Sequence, residues 1–340
     1  MRQATIRDVA ALADVSHQTV SRVINGHESV AGATRERVLA AIKELGYVPS
    51  PMARGLISNR THSLGMVTAD LSEAFFARAV AGAEVEARRR SYYLIVGSVE
   101  ESLDDEEGTG YLRLMLERRV EGLILARPGI VMAGEQLERA SSAGIPLVSI
   151  GSVQLPGFTG VDVDNRHGGF EGTAHLIEAG HRAIATIVGP REWPSARARL
   201  EGYRDALRAA GVADDPTLVE DAADWGVESG HSATNRLLER GTPFTAIFAQ
   251  SDLIALGAIR RLRSEGLRVP GDVSVIGYDD LPIAAYVDPP LTTVHQPMRE
   301  VGEFAAGLIL DRIAGVERDA GPYLLPASLV VRQSTAPPRG

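Results

Sequence analysis

Four polar side chains near the N-terminus have the types and spacing needed to read the edges of DNA bases. They share one face of a helix predicted over residues 17–24, and they are His17, Gln18, Ser21 and Arg22. The opposite face is apolar, since it carries Val20, Val23 and Ile24. Glutamine can bind an adenine edge through two hydrogen bonds, and arginine can do the same with guanine. Side chains at the N-terminal end of such a helix come nearest to the bases, so this face is predicted to enter a major groove.

Two further helices are predicted to position this face. The first begins at Thr5, whose hydroxyl can accept from the first turn, and Asp8 follows as in a capping box. After the turn that ends the first helix, the Ser16 oxygen can cap the second. A third helix from about 34 to 45 is predicted to end at Gly46 and to close a small core with Val38, Leu39, Ile42 and Leu45. The arrangement predicts a helix-turn-helix, although serine-capped pairs of short helices also occur in other folds.

The same stretch resembles the DNA-binding headpiece of the LacI family of bacterial transcriptional regulators. The shared motifs are Asp-Val-Ala, Val-Ser, Thr-Val-Ser-Arg-Val-Ile-Asn-Gly, Thr-Arg-Glu-Arg-Val and Leu-Gly-Tyr-Val-Pro, and the resemblance continues through residues 50–335. It implies a DNA-contacting set formed by Thr5, Ser16, His17, Gln18, Thr19, Ser21, Arg22, Asn25, Ala53 and Leu56. The chain departs from the family at His17, where an aromatic or small residue is common, and at Ala31, where a capping serine is usual. We expect His17 to contact a base edge or a phosphate.

A hinge segment is predicted over residues 50–62. The prolines at 49 and 51 end the headpiece, because a proline disfavours helix in the residue before it, and Pro51 can open a short helix over 52–58. The resemblance implies that this helix forms on operator DNA and inserts Leu56, with Ala53 beside it, into the minor groove. Such an apolar wedge unstacks base pairs and kinks the duplex. The alternative is that Leu56 is an ordinary linker leucine.

Composition and charge are compatible with a DNA-binding protein. The chain has 340 residues, 44% of them hydrophobic, which predicts two or three domains. Its net charge of −9 is divided unevenly, because residues 1–60 sum to +3 and the remainder to −12. The basic part can face phosphate while the acidic part is held away from it. The absence of cysteine excludes disulfides and thiol nucleophiles, and the eight histidines lack metal-ligand spacing, so no metal or cofactor is expected. With no apolar span of 18 residues and no signal peptide, we expect a cytoplasmic protein.

From residue 63 onward, short apolar runs alternate with amphipathic helical segments. Strands are predicted at 64–68, 93–97, 122–125 and 146–150, and the pattern restarts with strands at 184–188, 246–249 and 273–276. This alternation predicts parallel sheets with helices on both faces. We therefore predict an α+β multidomain chain, with an all-α headpiece over 1–49, the hinge helix, and a two-lobed α/β domain over 63–335. The last residues, 336–340, are expected to form a disordered tail that lacks the leucine heptad of a coiled coil.

The resemblance implies a periplasmic-binding-protein-like arrangement of the two lobes. The first lobe is expected to span about 63–161 and 296–322, and the second about 164–291 and 325–335. The chain would cross between them near 161–164, 291–295 and 322–325. In such a fold a small molecule binds between the lobes, at the C-terminal ends of the strands.

Eight residues, most of them on strand-to-helix loops, are predicted to line that cleft. By position in the resembled family they are Phe75, Phe76, Trp193, Arg199, Trp225, Ser251, Asp279 and Gln296. Aromatic faces suit the C–H faces of pyranose rings, and a planar arginine can bind paired hydroxyls. One of the two phenylalanines can instead belong to the core, and Trp193 can instead pack on the lobe surface. Asp164 and Asp252 are expected to cap helices rather than to bind ligand.

The chain departs from the family at two positions of the cleft. Gly151 stands where many relatives have an acidic residue, and Ser251 stands where many have asparagine. The identity of the effector therefore cannot be inherited from the resemblance. Gly151 in particular leaves room for a larger ligand.

The leading hypothesis is a sequence-specific repressor of carbohydrate-utilisation genes that is released from its operator by a mono- or disaccharide. A helix-turn-helix protein reads paired half-sites, so we expect a homodimer on pseudo-palindromic double-stranded DNA. One alternative is a purine- or other small-molecule-responsive regulator of the same fold. Another is an exported sugar-binding protein, which the headpiece and the absence of a signal peptide disfavour. An enzyme is not expected, because no catalytic motif is present and the adjacent Asp279 and Asp280 seldom point the same way.

Overall fold

The computed structural model describes residues 4–24, 27, 29–47, 60–71, 74–99, 105–126, 134–151, 159–319 and 321–339. The chain forms two compact units, Met1–His62 and Ser63–Gly340. Asn25, Ala53 and Leu56 lie outside the described ranges, as does the hinge helix predicted over 52–58. No helix within these ranges is long and apolar enough to cross a membrane.

The first unit has three described helices, which are α1 (Ile6–Leu12), α2 (His17–Ile24) and α3 (Gly32–Leu45). The capping box forms as predicted, because the Thr5 hydroxyl accepts from the backbone N–H of Asp8 and the Asp8 carboxylate accepts from that of Thr5. At the start of α2 the Ser16 hydroxyl accepts from the Thr19 N–H at 3.1 Å. Gly46 ends α3 in the left-handed conformation, with φ 57°. The predicted helix-turn-helix is confirmed.

Apolar side chains from all three helices form the core of this unit. The buried ones are Val9, Ala10, Ala13, Val20, Val23, Val38 and Ala41. Leu39 was predicted to join them, but its side chain is 51% exposed and that prediction is wrong. The core face of α3 follows positions 38, 41, 42 and 45, and the residue next to Val38 points away from it because successive helical residues differ by about 100°.

The second unit begins with an α/β lobe built on a six-stranded sheet. Its strands are β1 (Ser63–Thr68), β2 (Tyr93–Ser98), β3 (Gly122–Ala126), β4 (Leu147–Ile150), β5 (Thr159–Val163) and β11 (Tyr323–Leu325). They pair in parallel in the order β11-β5-β4-β3-β1-β2. The described helices of this lobe are α4 (Ala74–Arg89), α5 (Asp105–Glu117), α6 (Gly134–Ser142) and α11 (Met298–Ile313).

A second α/β lobe repeats the plan. Its strands are β6 (Ile184–Val188), β7 (Val219–Asp221), β8 (Ala246–Ala249), β9 (Ser274–Asp279), β10 (Thr292–His295) and β12 (Ser328–Val330). The order is β12-β10-β9-β8-β6-β7, and β12 pairs antiparallel to β10 while the other pairs are parallel. Its helices are α7 (Asn165–Glu178), α8 (Pro194–Ala209), α9 (Val227–Arg240) and α10 (Asp252–Ser264). The predicted two-lobed fold with mostly parallel sheets is confirmed.

The first of the three crossings between the lobes lies where the resemblance implies, and the other two lie slightly later in the chain. The first follows β5, whose last residue pairs in the first sheet, and the second follows β10, which is a strand of the second sheet. The third lies between β11 and β12, because residues 323–325 still pair with β5. Strands of three to five residues such as these carry too short a pattern to be told from a connection by sequence alone.

The C-terminal segment is ordered against the second lobe rather than frayed. Ala336 donates its N–H to the Ser274 hydroxyl and accepts from the buried His181 ring through its carbonyl oxygen. Arg339 donates to Asp272 at 2.8 Å. The expectation of a disordered tail from residue 336 is therefore wrong for residues 336–339. The polar partners lie on distant parts of the chain, so the local composition of two prolines and a glycine did not reveal them.

Candidate functional site

A cavity of about 570 Å³ lies between the two lobes of the second unit. Strand-to-helix loops of the second lobe supply one wall, and the start of α4 supplies the facing wall from the first lobe. All eight residues predicted from the sequence line it, and they are Phe75, Phe76, Trp193, Arg199, Trp225, Ser251, Asp279 and Gln296. The cavity volume falls within the range of about 300–1,000 Å³ typical of small-molecule sites.

Arg199 is fixed at the polar end of the cavity by partners that the sequence did not reveal. Its Nε donates to Asn165 Oδ1 at 2.8 Å, and its Nη1 donates to the carbonyl oxygen of Gln250 at 2.7 Å. The Tyr278 ring lies 3.8 Å below the guanidinium carbon. Only 4% of Arg199 is exposed. A guanidinium held on two sides in this way presents its remaining donors in a fixed direction.

Asp279 lies next to this arginine and has a partly exposed carboxylate. Its Oδ1 is 4.0 Å from Arg199 Nη1 and accepts from Gln296 Nε2 at 2.5 Å. Burial raises the pKa of the Asp279 carboxyl above the ordinary value, and the nearby Arg199 opposes that rise. Together these groups provide donors and acceptors that suit neutral hydroxyl-bearing ligands. The Oε1 atom of Gln296 is buried and has no hydrogen-bond partner among the described residues.

Four aromatic rings form the apolar part of the cavity wall. The Trp193 and Trp225 rings meet edge to face, with centroids 6.1 Å apart and planes at 85°. Phe76 of the first lobe lies 6.4 Å from Trp193, and Phe75 lies 5.0 Å from Phe76. Phe76 is only 2% exposed, so it serves the core as well as the cavity. Trp225 packs directly over Gly189, where a Cβ would come within 2.2 Å of the indole ring.

Ser251 lines the cavity, but its hydroxyl is engaged by the protein itself. The oxygen accepts from the N–H groups of Leu253 and Ile254 as the cap of α10, and the hydroxyl donates to the carbonyl oxygen of Trp225 at 3.1 Å. These contacts fix the start of α10 and the backbone at Trp225. Ser251 therefore helps to position the tryptophan, and the direct ligand contact that the resemblance implied for it stays a prediction.

Gly151 and Asp164 are two further positions for which the sequence made predictions. Gly151 adopts φ 73°, a conformation in which an L side chain is strained, and no atom of the described residues lies within 4 Å of the position that a Cβ would take there. The backbone there favours glycine over an acidic residue, and the expectation that Gly151 leaves room for a larger ligand stays a prediction. Asp164 caps α7 by accepting from the His167 N–H, as expected.

Sequence reasoning missed several residues that complete the site. Asn165, Gln250 and Tyr278 surround Arg199, and Arg78 of α4 also lines the cavity. The position of Asn165 beside the predicted crossover was the only available signal. The other partners lie 51 to 202 residues away from the groups they bind. Nothing in the local pattern could have identified them.

The predicted DNA-reading face of α2 is open to solvent. His17, Gln18 and Arg22 are exposed, whereas Thr19 and Ser21 are half-buried. The hydroxyls of Thr5 and Ser16 form the helix caps described above. This leaves the histidine, glutamine and arginine as the long polar side chains that extend from the helix.

Comparisons with known proteins agree with both units. The family described as "Bacterial regulatory proteins, lacI family" matches residues 5–50, and a "Periplasmic binding protein-like domain" matches residues 173–335. The chain is 40% identical to the HTH-type transcriptional regulator CelR of Thermobifida fusca, with 98% of each protein covered. It is 34% identical to the HTH-type transcriptional repressor CytR of Escherichia coli (strain K12), with 98% of this chain and 96% of that protein covered.

Two solved structures extend these similarities to three dimensions. The lac repressor dimer bound to operator and the anti-inducer ONPF superposes with a TM-score of 0.88 at 33% identity, covering 98% of this chain and 100% of that one. A CelR–cellobiose complex superposes with a TM-score of 0.72 at 39% identity, covering 97% and 99%. Both similarities span the described headpiece and the two-lobed unit.

Proposed function

The chain belongs to the LacI family of bacterial regulatory proteins, and we propose that it is a repressor that a mono- or disaccharide releases from its operator. Family membership rests on identities of 40% and 34% over nearly the whole chain. Members of this family are DNA-binding transcriptional regulators. A repressor of chromosomal genes acts in the cytoplasm, and the proposal includes that location.

The observation that carries the sugar proposal is the pairing of aromatic rings with a fixed polar cluster in one cavity. The C–H face of a pyranose ring can stack on Trp225 or Trp193. The ring hydroxyls can then bind Arg199, Asp279 and Gln296, because these groups offer both donors and acceptors. The relative CelR was solved in complex with cellobiose, so a disaccharide of glucose is the first ligand to test.

For the DNA-binding part, we propose that two copies of the chain place their α2 helices in neighbouring major grooves. Gln18 and Arg22 would bind base edges, and His17 would contact a base edge or phosphate. Thr5, Ser16, Thr19 and Ser21 lie at the same end or face of the helix pair and complete the proposed surface. Asn25, Ala53 and Leu56 keep their proposed roles from sequence alone.

The proposal includes no enzymatic activity. The neighbouring carboxylates of Asp279 and Asp280 have different partners, since Asp279 accepts from Gln296 and Asp280 accepts from Arg332 and His295. Glycoside hydrolysis needs two carboxyl groups on opposite sides of one bond. Sugar binding would instead act by favouring one arrangement of the lobes and so weakening operator binding.

Calorimetric titration with cellobiose, glucose and a panel of other sugars and purines tests the proposal. We expect a mono- or disaccharide to bind, and the same sugar to weaken operator binding in a gel-shift assay. Arg199→Ala should lose sugar affinity by roughly tenfold or more, because hydrogen bonds to charged groups contribute about 1.5–3 kcal/mol. Trp225→Ala should also lose sugar affinity, because it removes the ring face on which the sugar stacks. Both variants should keep their operator affinity.

The matched control is Arg208→Ala, which removes an exposed arginine from the same helix α8. It should bind sugar and operator as the wild-type protein does. Circular dichroism melts show whether a variant has lost its fold. Binding of a purine alone, or full release of Arg199→Ala and Trp225→Ala by the natural sugar, would contradict the proposed effector site.

A further inference from the structure

An arginine outside the predicted effector set joins the two lobes beside the cavity. Arg78 lies on α4 of the first lobe, and its half-buried side chain donates to the carbonyl oxygens of Asp279 at 3.1 Å and Asp280 at 2.9 Å. Asp279 is the last residue of β9 in the second lobe, and Asp280 follows it. A guanidinium has several donors in one plane, so a single side chain can hold two neighbouring carbonyls.

The dipeptide that Arg78 binds has an unusual backbone conformation. Asp279 has φ 115° and Asp280 has φ 51°, and non-glycine residues rarely adopt such values without support from their surroundings. Gln296, at the crossing that follows β10, holds the side chain of Asp279, and Arg332 of the second lobe holds that of Asp280. Arg78 adds the support from the other lobe. Arg78 thus contacts the backbone from which the Asp279 carboxylate extends.

The cavity itself requires both lobes to face each other as they do here. Phe75, Phe76 and Arg78 line it from the first lobe, whereas both tryptophans line it from the second. A ligand that touches both walls binds only while these residues are opposite one another. When a binding-competent state is only partly populated, the apparent affinity falls in proportion to its population.

We propose that Arg78 is an inter-lobe latch, a positioning residue that favours this arrangement of the lobes and thereby raises the affinity of the cavity for its effector. The inference rests on the proposed function of the cavity as the effector site. A sugar that binds the latched arrangement also strengthens the latch, since coupling between two equilibria is reciprocal. Arg78 would then transmit part of the sugar's effect to the operator.

The test compares Arg78→Ala and Arg78→Lys with the control Arg88→Ala. Arg88 lies on the same helix, and its side chain is 72% exposed beside Glu84. We expect Arg78→Ala to weaken sugar binding roughly tenfold, as the loss of two hydrogen bonds allows, and to raise the sugar concentration that releases the operator by the same factor. Arg78→Lys keeps the charge, so its sugar affinity should lie between those of Arg78→Ala and the wild-type protein. Operator binding without sugar should be no weaker than in the wild-type protein.

A second readout needs no ligand. The only two tryptophans in the chain, Trp193 and Trp225, both line the cavity, so quenching of their fluorescence by acrylamide reports how open it is. Quenching should be stronger in Arg78→Ala than in the wild-type protein or Arg88→Ala, at an unchanged melting temperature. If Arg78→Ala unfolds, Arg78→Lys carries the comparison.

The two readouts separate the latch from the proposed function. Stronger quenching in Arg78→Ala, combined with a wild-type protein that binds no sugar, would retain the latch and reject the sugar proposal. Equal quenching in Arg78→Ala and Arg88→Ala would reject the latch whatever the wild-type protein binds. Unchanged sugar affinity in Arg78→Ala, or weaker operator binding by it in the absence of sugar, would also overturn the proposal.

Discussion

Asp252 is a buried carboxyl group whose partners come from two other segments of the second lobe. Its Oδ1 accepts from the Thr293 hydroxyl at 2.5 Å, and its Oδ2 accepts from the Leu281 N–H at 2.7 Å. The residue is 0% exposed. Burial and repulsion by Asp279 raise the pKa of Asp252 above its ordinary value. The side chain thus ties the start of α10 to the loop that follows β9. It does not cap α10, because Ser251 does, so the predicted capping role of Asp252 is wrong.

The raised pKa predicts that Asp252→Asn stabilises the protein increasingly as the pH rises. Between the ordinary pKa of aspartate, near 4, and the raised value, the folded state binds more protons than the unfolded state, so stability falls with rising pH. Asparagine does not ionise, so the variant avoids this fall in stability. Its side-chain oxygen can still accept from the Leu281 N–H. Chemical unfolding of both proteins at pH 5, 6, 7 and 8 measures the difference.

Asp272→Asn is a control for which the opposite change in protein stability is expected. The side-chain hydrogen bond from Arg268 lowers the pKa of Asp272, so this carboxylate contributes stability above the ordinary pKa and its removal should destabilise the protein there. A constant loss of stability in Asp252→Asn at every pH would show that its hydrogen bonds, and not its charge, dominate.

The polar residues at helix α2 have two different roles in the proposed DNA binding. Ser16 caps the helix, whereas Gln18 and Arg22 extend from its exposed surface. We predict that Gln18→Ala and Arg22→Ala remove discrimination between operator and scrambled DNA, at about 1–3 kcal/mol for each lost base contact. Weak, salt-sensitive binding should remain, because contacts to phosphates do not depend on these side chains.

Ser16→Ala is the matched comparison for these two variants. Loss of the cap should cost about 1 kcal/mol of headpiece stability and weaken binding to every sequence alike. Fluorescence anisotropy with operator and scrambled duplexes at several salt concentrations distinguishes the two patterns. Unchanged discrimination in Arg22→Ala would remove this residue from the reading surface.

The whole chain divides its charge between a basic N-terminal part and an acidic remainder. Residues 1–60 sum to +3 while the remaining residues sum to −12. A single small basic headpiece binds DNA weakly, and two linked headpieces bind a palindrome with a much higher effective affinity. The similar lac repressor structure is a dimer bound to operator.

We therefore predict that scrambling one half-site of the operator greatly reduces affinity for the full-length protein. Sedimentation velocity should detect two chains on each intact operator duplex. A duplex with both half-sites scrambled serves as the reference for nonspecific binding. One chain per duplex, with equal affinity for the intact and half-scrambled operators, would contradict the dimeric mode of binding.

The sequence by itself determined the elements and residue types that depend on short-range patterns. The capping box of Thr5 and Asp8, the limits of α2 and the αL cap at Gly46 involve groups within a few residues of each other, so their spacing was sufficient. The same holds for most strands of the two lobes. The residues that the family resemblance implied for the cavity also came together, on the facing walls of the two lobes.

Only the tertiary structure decided which partners those residues have. It placed Tyr278 under Arg199, engaged the Ser251 hydroxyl in a cap, anchored the C-terminal segment at His181 and directed Arg78 across the cavity. These contacts join segments that are tens to hundreds of residues apart, and they are set by strand order and by the packing of whole helices. A local pattern contains no information on such neighbours, because burial and hydrogen bonding at each position depend on the complete fold.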